Sequence, residues 1–330
     1  MFFSWPNDEP PLRRSDKVPD HLQKYALPFA QYRYELYKEG EILSQLIVGH
    51  DYSIWMHHFI MKQDTLVHPN VNTSVLTINY MLLGQIHAVL KNAAKVIMKA
   101  GVCSMYYVPE NIYHEAILPR GVSSCLHINF HPDHLVPIAT QYPVFEPMLS
   151  KAIGNIHNGK MQVEVVISSA MKEELEKIIS CNLGTGEREL FFQARIRDLL
   201  RMYGTAQAQQ QAIEQIDNPH DKIIAKIEYY IDQNLDKDLS IDKLADYINA
   251  SRAWIQMLFS KKYKRGIHKI ITEKRMKVAA DWLIKSDICI SDIVLKTSTM
   301  TFAAFSTAFK KFHKLSPSEY RERYSQNKKK

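Results

Sequence analysis

One arrangement of apolar residues occurs twice in the last third of this chain. In residues 239–262, which read LSIDKLADYINASRAWIQMLFSKK, apolar side chains recur every three or four residues before and after a short break. This spacing predicts two short amphipathic helices. Between them, Asn249 tolerates the left-handed backbone that ends a helix, and Ser251 is a favourable N-cap for the next one. This first helix pair therefore has the pattern of a helix-turn-helix.

The second helix pair comprises residues 290–312, which read ISDIVLKTSTMTFAAFSTAFKKF. A turn at 298–301 separates its two predicted helices, and Phe305 and Phe309 repeat the inward positions of the first pair. Many helical hairpins match this pattern once. Two matches in tandem, each ending in two lysines, are much more specific.

In each pair, the second helix has one face that points away from the apolar side chains. This face is available to a binding partner. In the first helix pair this face and the helix end carry Arg252, Ala253, Gln256, Met257, Lys261 and Lys262. In the second helix pair they carry Phe302, Ala303, Ser306, Thr307, Lys310 and Lys311. Hydrogen-bond donors followed by positive charge suit the major groove of double-stranded DNA, so these residues are the candidate DNA contacts.

Residues 222–325 resemble the DNA-binding domain of the AraC/XylS family of bacterial transcription regulators. The residues that carry the resemblance are Leu239-Ser240-Ile241, Leu244-Ala245, Ser251, Phe259, Arg275 to Ala279, Trp282-Leu283, Ile290, Ile293, Phe305, Phe309-Lys310-Lys311 and Ser316 to Arg321. The resemblance implies that the second helix of each pair enters the major groove. The helix predicted between the pairs, over 268–285, is ~27 Å long, which can hold the two recognition helices about one DNA turn apart.

The second helix pair departs further from the family pattern than the first. Ser298-Thr299 stand where Gly-Phe is usual, and the exposed positions carry no long donor. In the first pair, Gln256 can bond adenine and Arg252 can reach guanine or a phosphate. We therefore expect base recognition mainly from the first helix pair, and phosphate contacts from the second.

Positive charge is concentrated in the same part of the chain. Residues 219–330 hold 23 Lys and Arg against 13 Asp and Glu, a net charge of +10, whereas the remaining residues carry −3. Contact with phosphates requires such a distribution, although a charged surface alone is a weak signal.

The first half of the chain has a different pattern. Residues 27–136 contain short β-branched and aromatic segments separated by Gly, Asn and Pro, which predicts a run of strands in a β-barrel or jelly roll. Details such as Tyr107-Val108-Pro109 resemble the cupin-like regulatory half of AraC-type proteins. The expected fold is α+β and multidomain: an N-terminal cupin-like β-barrel with a helical hairpin, and a C-terminal all-α domain with two helix-turn-helix units.

Changes of pattern and composition predict where each region begins and ends. The predicted regions are an irregular proline-rich arm at 1–24, a cupin-like regulatory and dimerisation domain at 25–203, a linker at 204–220, and the DNA-binding domain at 221–325. Helical periodicity places the hairpin at 163–203. In the resembled family this hairpin commonly carries the dimer contact; the alternative is that it only covers the barrel.

A barrel interior with converging polar groups is a reasonable site for a small molecule. The candidate ligand-binding residues are Tyr80, His87, Tyr107, His114 and His127. Metal-dependent cupins use a His-x-His motif, which is absent, and His57 and His58 point to opposite faces of a strand. No pattern typical of catalysis occurs, so we expect no metal, no cofactor and no enzymatic activity.

The remaining features favour a cytoplasmic protein. The cysteines are scattered singly, which favours reduced thiols over disulfides or a zinc site, and no apolar run is long enough to span a membrane. The N-terminus lacks the features of a signal peptide.

Three classes of function remain open. The first is a transcription regulator that binds DNA as a homodimer under the control of a small molecule, with a carbohydrate-related inducer favoured by the resemblance. The second is a DNA-binding regulator whose barrel only dimerises or binds a protein. The third is a cupin enzyme fused to a DNA-binding domain, which would require a metal. The sequence does not separate activation from repression.

Overall fold

The chain forms two compact units, Met1–Ala208 and Gln209–Lys330. The structure, a computed structural model, describes residues 2–6, 9–89, 95–110, 114–130, 132–153, 160–161, 164–298 and 300–325. Thr299, which belongs to the predicted turn of the second helix pair, lies outside the described residues.

The N-terminal unit is built mainly from antiparallel strands. These are β1 (Phe2–Ser4), β2 (Arg13–Ser15), β3 (Gln31–Leu36), β4 (Gly40–Val48), β5 (Tyr52–Met61), β6 (Thr65–Asn70), β7 (Val75–Leu83), β8 (Gln85–Val89), β9 (Lys95–Lys99), β10 (Val102–Val108), β11 (Glu115–Leu118), β12 (Gly121–Phe130), β13 (Lys160–Met161) and β14 (Val165–Val166).

The strands form two sheets that share one apolar core. The smaller sheet has the order β1-β6-β11-β8-β9, and the larger has the order β13-β10-β7-β12-β5-β4-β3-β2, with β14 also paired to β10. Ile42 and Phe59 of the larger sheet pack in one buried cluster with Val67 and Ala116 of the smaller sheet. The predicted cupin-like barrel is confirmed.

The longest strand pair, β5 with β12, runs from Tyr52 opposite Phe130 to Met61 opposite Gly121. Most residues of β5 are buried, on both faces of the strand. One face of the larger sheet looks into the barrel, and helices cover part of the other. On that outer side, the backbone N–H of Met105 donates to the Tyr203 hydroxyl at 3.0 Å.

The described residues of the N-terminal unit also form α-helices, the last of which continues beyond Ala208. They are α1 (Pro132–Gln141), α2 (Glu146–Ile153), α3 (Ser169–Ile179) and α4 (Thr185–Glu214). A Cβ atom on Gly204 would lie 3.1 Å from the ring of Phe145, so this glycine permits the close approach of α4 to that ring. Tyr203 stacks on the same ring at a centroid distance of 6.1 Å.

The helical hairpin differs from the sequence expectation at both ends. It begins at Ser169 instead of residue 163, because Val165 and Val166 pair with β10 as a strand. At its other end, α4 continues to Glu214, through the first part of the expected linker at 204–220. Gln is a good helix former, so a glutamine-rich segment can continue a helix. The boundary between the two units, Ala208 to Gln209, lies within this segment.

The N-terminal 24 residues also differ from the irregular arm expected from their prolines. Strand β1 pairs with β6, β2 pairs with β3, and residues 20–25 form a 3-10 helix. The prolines lie between these short elements, where the missing N–H interrupts no ladder.

The C-terminal unit consists of helices. They are α5 (Pro219–Gln233), α6 (Ile241–Ile248), α7 (Arg252–Tyr263), α8 (Ile267–Lys285), α9 (Ile290–Thr297), α10 (Phe302–His313) and α11 (Pro317–Ser325). The first helix pair is thus α6 and α7, and the second is α9 and α10, as predicted. In the described part of the chain, no helix is long and apolar enough to cross a bilayer.

Helix α8 contributes to two separate apolar cores. Ile267, Ile270 and Ile271 in its first half pack with α5, α6 and α7. Met276 and Leu283 in its second half pack with α9 and α10. Each helix pair therefore has its own core, and the single helix α8 connects them.

Candidate nucleic-acid interface and barrel cavity

The position of α7 is fixed by its N-cap, by the turn before it and by packing. The Ser251 hydroxyl accepts a hydrogen bond from the N–H of Trp254 at 3.3 Å. Asn249 has a left-handed backbone with φ of 54°, which ends α6 and turns the chain into α7. Ile255, Leu258 and Phe259 are buried, so the orientation of α7 about its axis is fixed by packing.

The outer face of α7 consists of the candidate residues from the sequence. Arg252, Ala253, Gln256, Met257, Lys261 and Lys262 are all exposed. Arg252 Nε lies 3.2 Å from Asp242 Oδ1 of α6, and both side chains are more than half exposed. An exposed ion pair of this kind contributes little to stability and can be exchanged for a phosphate or a base edge.

Lys262 also makes a contact with α5 at the C-terminal end of α7. Its Nζ lies 3.2 Å from Asp221 Oδ1, in the first turn of α5. The adjacent Tyr263 hydroxyl donates to Glu228 of α5 at 2.6 Å. These contacts hold the C-terminal end of the recognition helix against α5.

Helix α10 presents a different surface from α7. Its candidate residues Phe302, Ala303, Thr307, Lys310 and Lys311 are exposed, whereas Ser306 is half-buried. The Thr307 hydroxyl donates to the Ala303 carbonyl within the same helix at 2.9 Å. The polar groups of this face are thus short, and one is already bonded to the backbone.

Helices α7 and α10 are held by similar caps at opposite ends of α8. Thr301 caps α10 as Ser251 caps α7, and Lys264 and Lys314 end the two helices in the left-handed conformation. Helix α8 has 19 residues, a length of ~28 Å at 1.5 Å per residue. Two helices presented in this way can contact successive major grooves on one side of DNA.

Arg275 of α8 is buried. The sequence pattern did not predict this burial, because an arginine in the middle of a helix is usually exposed. Arg275 donates from Nε to the Leu235 carbonyl at 3.0 Å and from Nη2 to the Lys237 carbonyl at 2.6 Å. Burial lowers the pKa of its guanidinium from the ordinary value. These bonds attach α8 to the segment between α5 and α6.

A cavity of about 60 Å³ lies inside the barrel. We call it the barrel cavity. It is lined by Phe3, Pro69, Ile86, Ala88, Val96, Met98, Tyr106, Val108, His114, Ala116, Cys125 and His127. Most of these side chains are apolar.

The five candidate ligand-binding residues do not all face the interior of the barrel. His114 and His127 line the barrel cavity, whereas Tyr80, His87 and Tyr107 do not. His87 lies between the lining residues Ile86 and Ala88 on its strand, so its side chain points to the opposite face. Tyr107 alternates in the same way with its lining neighbours, and Tyr80 is paired with Cys103 on that outer side of the larger sheet.

The structure adds polar groups that sequence inspection missed. Asn79 lies directly opposite His127 between β7 and β12, and Thr77 lies opposite Tyr106 between β7 and β10. Directly opposed residues share a face of a sheet, so Asn79 and Thr77 point inward with the lining residues. Their inward orientation could have been found only from the strand register.

Burial keeps the interior histidines neutral. Loss of solvent lowers the pKa of His127 to about 3, and it lowers the pKa of His57 well below the usual range. The His57 ring lies 5.4 Å from the His127 ring, and its Nδ1 is 2.9 Å from the Ser44 hydroxyl. Within the described residues, no group of three or more His, Cys, Asp or Glu could hold a metal ion.

Comparison with known proteins supports the interpretation of the C-terminal unit. Residues 244–323 match the family model of a helix-turn-helix domain. The chain is 29% identical over 104 residues to the regulatory protein SoxS of Escherichia coli K12, covering 32% of this chain and 97% of SoxS. It is 28% identical over 109 residues to the regulatory protein PocR of Salmonella typhimurium, covering 33% of this chain but only 36% of PocR.

Among solved structures, the chain is similar to the C-terminal domain of AraT, a response regulator from Geobacillus stearothermophilus. The identity is 27%, the match covers 32% of this chain and 86% of that chain, and the TM-score is 0.30.

The fold of the C-terminal unit and the exposed faces of α7 and α10 define a helix-turn-helix DNA-binding domain. The helix-turn-helix match and the similarity to SoxS confirm the resemblance of residues 222–325 to the DNA-binding domain of the AraC/XylS family.

Proposed function

We propose that the full chain is a cytoplasmic transcription regulator that binds double-stranded DNA as a homodimer and responds to a small molecule in the barrel cavity. The observation that carries the proposal is the presentation of two similarly capped helices, α7 and α10, from opposite ends of α8. The net charge of +10 over residues 219–330 supports contact with phosphates.

Within this proposal, the two recognition helices have different tasks. Gln256 bonds an adenine edge, Arg252 reaches guanine or a phosphate after leaving Asp242, and Ala253 and Met257 contact thymine methyl groups. The lysines at the ends of both helices bind phosphates, and the N-terminus of α10 adds a favourable dipole for the same contact.

Selection of bound sequences from a random DNA pool by the full-length protein tests the regulator hypothesis. We expect a motif of ~15–20 base pairs, because two helices in successive grooves span about that length. In a parallel selection, Gln256→Ala is expected to lose preference at one position of the motif. Salt-sensitive binding without any enriched motif would contradict the proposal.

The dimer part of the proposal is tested on α4. Leu190 of α4 is 71% exposed, and we propose that it contributes to the contact between two chains. Leu190→Glu is expected to convert a dimer into a monomer in sedimentation velocity. Thr205→Glu, also exposed on α4, is the matched control and is expected to leave the dimer intact.

Control by a small molecule is supported by the barrel cavity, which lies in the interior of the N-terminal unit and is lined mainly by apolar side chains. It is tested by repeating the DNA selection with a ligand that binds the cavity. A ligand acts on DNA binding only if it has different affinities for two arrangements of the protein. An unchanged operator affinity and motif at saturation would contradict this part of the proposal.

A further inference from the structure

The first turn of α10 exposes an aromatic side chain. Phe302 is the first residue of this helix, and 53% of its surface is exposed. The Thr301 hydroxyl caps the helix by accepting a hydrogen bond from the N–H of Ala304 at 3.3 Å. The buried Phe305 and Phe309 fix the orientation of the helix about its axis. Phe302 is therefore held in the turn of a recognition helix that meets base edges in a helix-turn-helix.

The exposed residues that follow Phe302 in the first two turns of α10 have short side chains. Ala303 and Ala304 end in methyl groups. The Thr307 hydroxyl donates its hydrogen to the Ala303 carbonyl at 2.9 Å, so it has no hydrogen left to give to a base. Ser306 is half-buried, and a serine hydroxyl both donates and accepts, so it separates bases poorly. Hydrogen bonds from this face can therefore distinguish few bases.

The first two turns of α7 have different chemistry. Arg252 and Gln256 are exposed there, and each can make two hydrogen bonds to one base. The feature of the major groove that suits an apolar side chain is the C5-methyl group of thymine, which Phe and Ala side chains can contact. The aromatic ring and the methyl groups at the start of α10 match that feature.

Positive charge on the same helix favours DNA as the partner of this apolar turn. Lys310 and Lys311 are exposed, and they lie ~12 Å along the helix axis from Phe302. Lysines at this distance can bind phosphates beside the groove while the first turn lies within it.

We propose that α10 recognises the C5-methyl group of thymine through Phe302, with Ala303 beside it. The inference rests on the proposed function and extends it, because it gives α10 a base preference in addition to its phosphate contacts. Since the contact is with a methyl group, 5-methylcytosine should also be accepted, whereas uracil and cytosine should not. One methyl contact contributes less than a bidentate hydrogen bond, so the first helix pair still dominates discrimination.

The experiment is selection of bound sequences by the full-length protein from two random DNA pools, one containing thymine and one containing uracil in its place. Uracil pairs as thymine does and lacks only the methyl group. We expect a motif from both pools, with the preference for thymine in the part bound by α10 absent from the uracil pool. Identical motifs from the two pools would overturn the proposal.

The variant Phe302→Ala identifies the thymines that α10 contacts, because Ala253 and Met257 of α7 are also expected to contact methyl groups. Replacing such a thymine by uracil is expected to weaken binding by the unsubstituted protein about fourfold, the loss for one buried methyl group. Phe302→Ala should bind the two duplexes equally. A methyl effect of full size in Phe302→Ala would overturn the role of Phe302.

The matched control is Phe312→Ala, which removes the same side chain from the other end of α10. Phe312 is 38% exposed. This variant is expected to keep the fourfold effect, and its loss would contradict the assignment to the first turn. Alanine is a good helix former, so both variants should fold, and circular dichroism checks this.

A second comparison places 5-methylcytosine or cytosine at the same position. We expect the methylated duplex to bind about fourfold more tightly, for the same physical reason. Equal binding of the two duplexes would contradict recognition of the methyl group.

Failure of this inference is distinguishable from failure of the proposed function. If the protein selects a motif whose α10 part does not depend on methyl groups, the regulator hypothesis stands and the role of α10 is wrong. If neither pool gives a motif, both are wrong, because no base is recognised.

Discussion

The two helix pairs have the same architecture but different surfaces. Both recognition helices are capped by a hydroxyl at the N-terminus and by a left-handed lysine at the C-terminus. Helix α7 rests on three buried apolar residues and α10 on two buried phenylalanines. The outer face of α7 carries Arg252 and Gln256, whereas α10 exposes Phe302 and a Thr307 that is bonded to its own helix.

A shared fold therefore does not require a shared binding surface. Packing determines which positions of α7 and α10 are inside, and it leaves the outward residues free to vary. A pair that keeps its core can therefore present its helix to DNA while making few contacts that distinguish bases.

Removing the core of one pair should have the largest effect. Phe259 and Phe309 are each fully buried, in separate clusters on the two halves of α8. Truncating either to alanine is expected to cost about 3–5 kcal/mol of unfolding free energy, measured by urea denaturation. A cost below about 1 kcal/mol for either variant would mean that its pair is not held by the described core.

Two arginines donate to backbone carbonyls, one beside each helix pair. Replacing the more buried one, Arg275, should lower the unfolding free energy more than replacing Arg321. Arg275→Met is expected to cost about 2 kcal/mol, because it leaves two carbonyls without their donor. Arg321 is less buried and donates to the Ile288 carbonyl at 2.6 Å on the side of the second pair. For Arg321→Met we expect about 1 kcal/mol.

Urea denaturation of both arginine variants tests this ranking. Lys277→Met, on the exposed side of α8, serves as the control for a change of charge alone and should have almost no effect. A larger loss of unfolding free energy in Arg321→Met than in Arg275→Met would contradict the expected ranking.

Sequence discrimination should depend mainly on the first pair. Gln256→Ala is expected to lose about 1–3 kcal/mol of discrimination at one base pair of the selected motif, because a bidentate contact is removed. Thr307→Ala should change discrimination by less than about 0.5 kcal/mol, because the threonine hydroxyl is occupied by the Ala303 carbonyl. Competition binding with single-base variants of the motif measures the loss of discrimination in both variants. Equal losses would contradict the hypothesis.

The smallest effect is expected at the C-caps, where the two pairs should respond alike. Lys264 and Lys314 have φ values of 56° and 67°, which glycine adopts without strain. Lys264→Gly and Lys314→Gly are each expected to raise the unfolding free energy by about 0.5–1 kcal/mol. Lys261→Gly, inside α7, should instead lower it by a similar amount, and a stabilised Lys261→Gly would refute the cap argument.

Local sequence patterns predicted both helix pairs, the caps at Asn249 and Ser251, and the outer face of each recognition helix. These features depend on residues a few positions apart, where the helical period and the preferences of Asn249, Ser251 and the buried aromatics act locally. The concentration of positive charge in the same domain was also a property of the sequence alone.

Contacts between distant parts of the chain set which residues face the barrel cavity and where the helices of the first unit begin and end. Strand register joins His127 to Asn79 across 48 positions of chain, and no local pattern specifies such a pairing. Tyr80 and Tyr107 were placed in the predicted site for their chemistry, but the two-residue alternation of their strands turns them away from the cavity. Helix α4 continued past its expected end because Tyr203, Gly204 and Gln207 are buried against the rest of the first unit, and that packing outweighs composition.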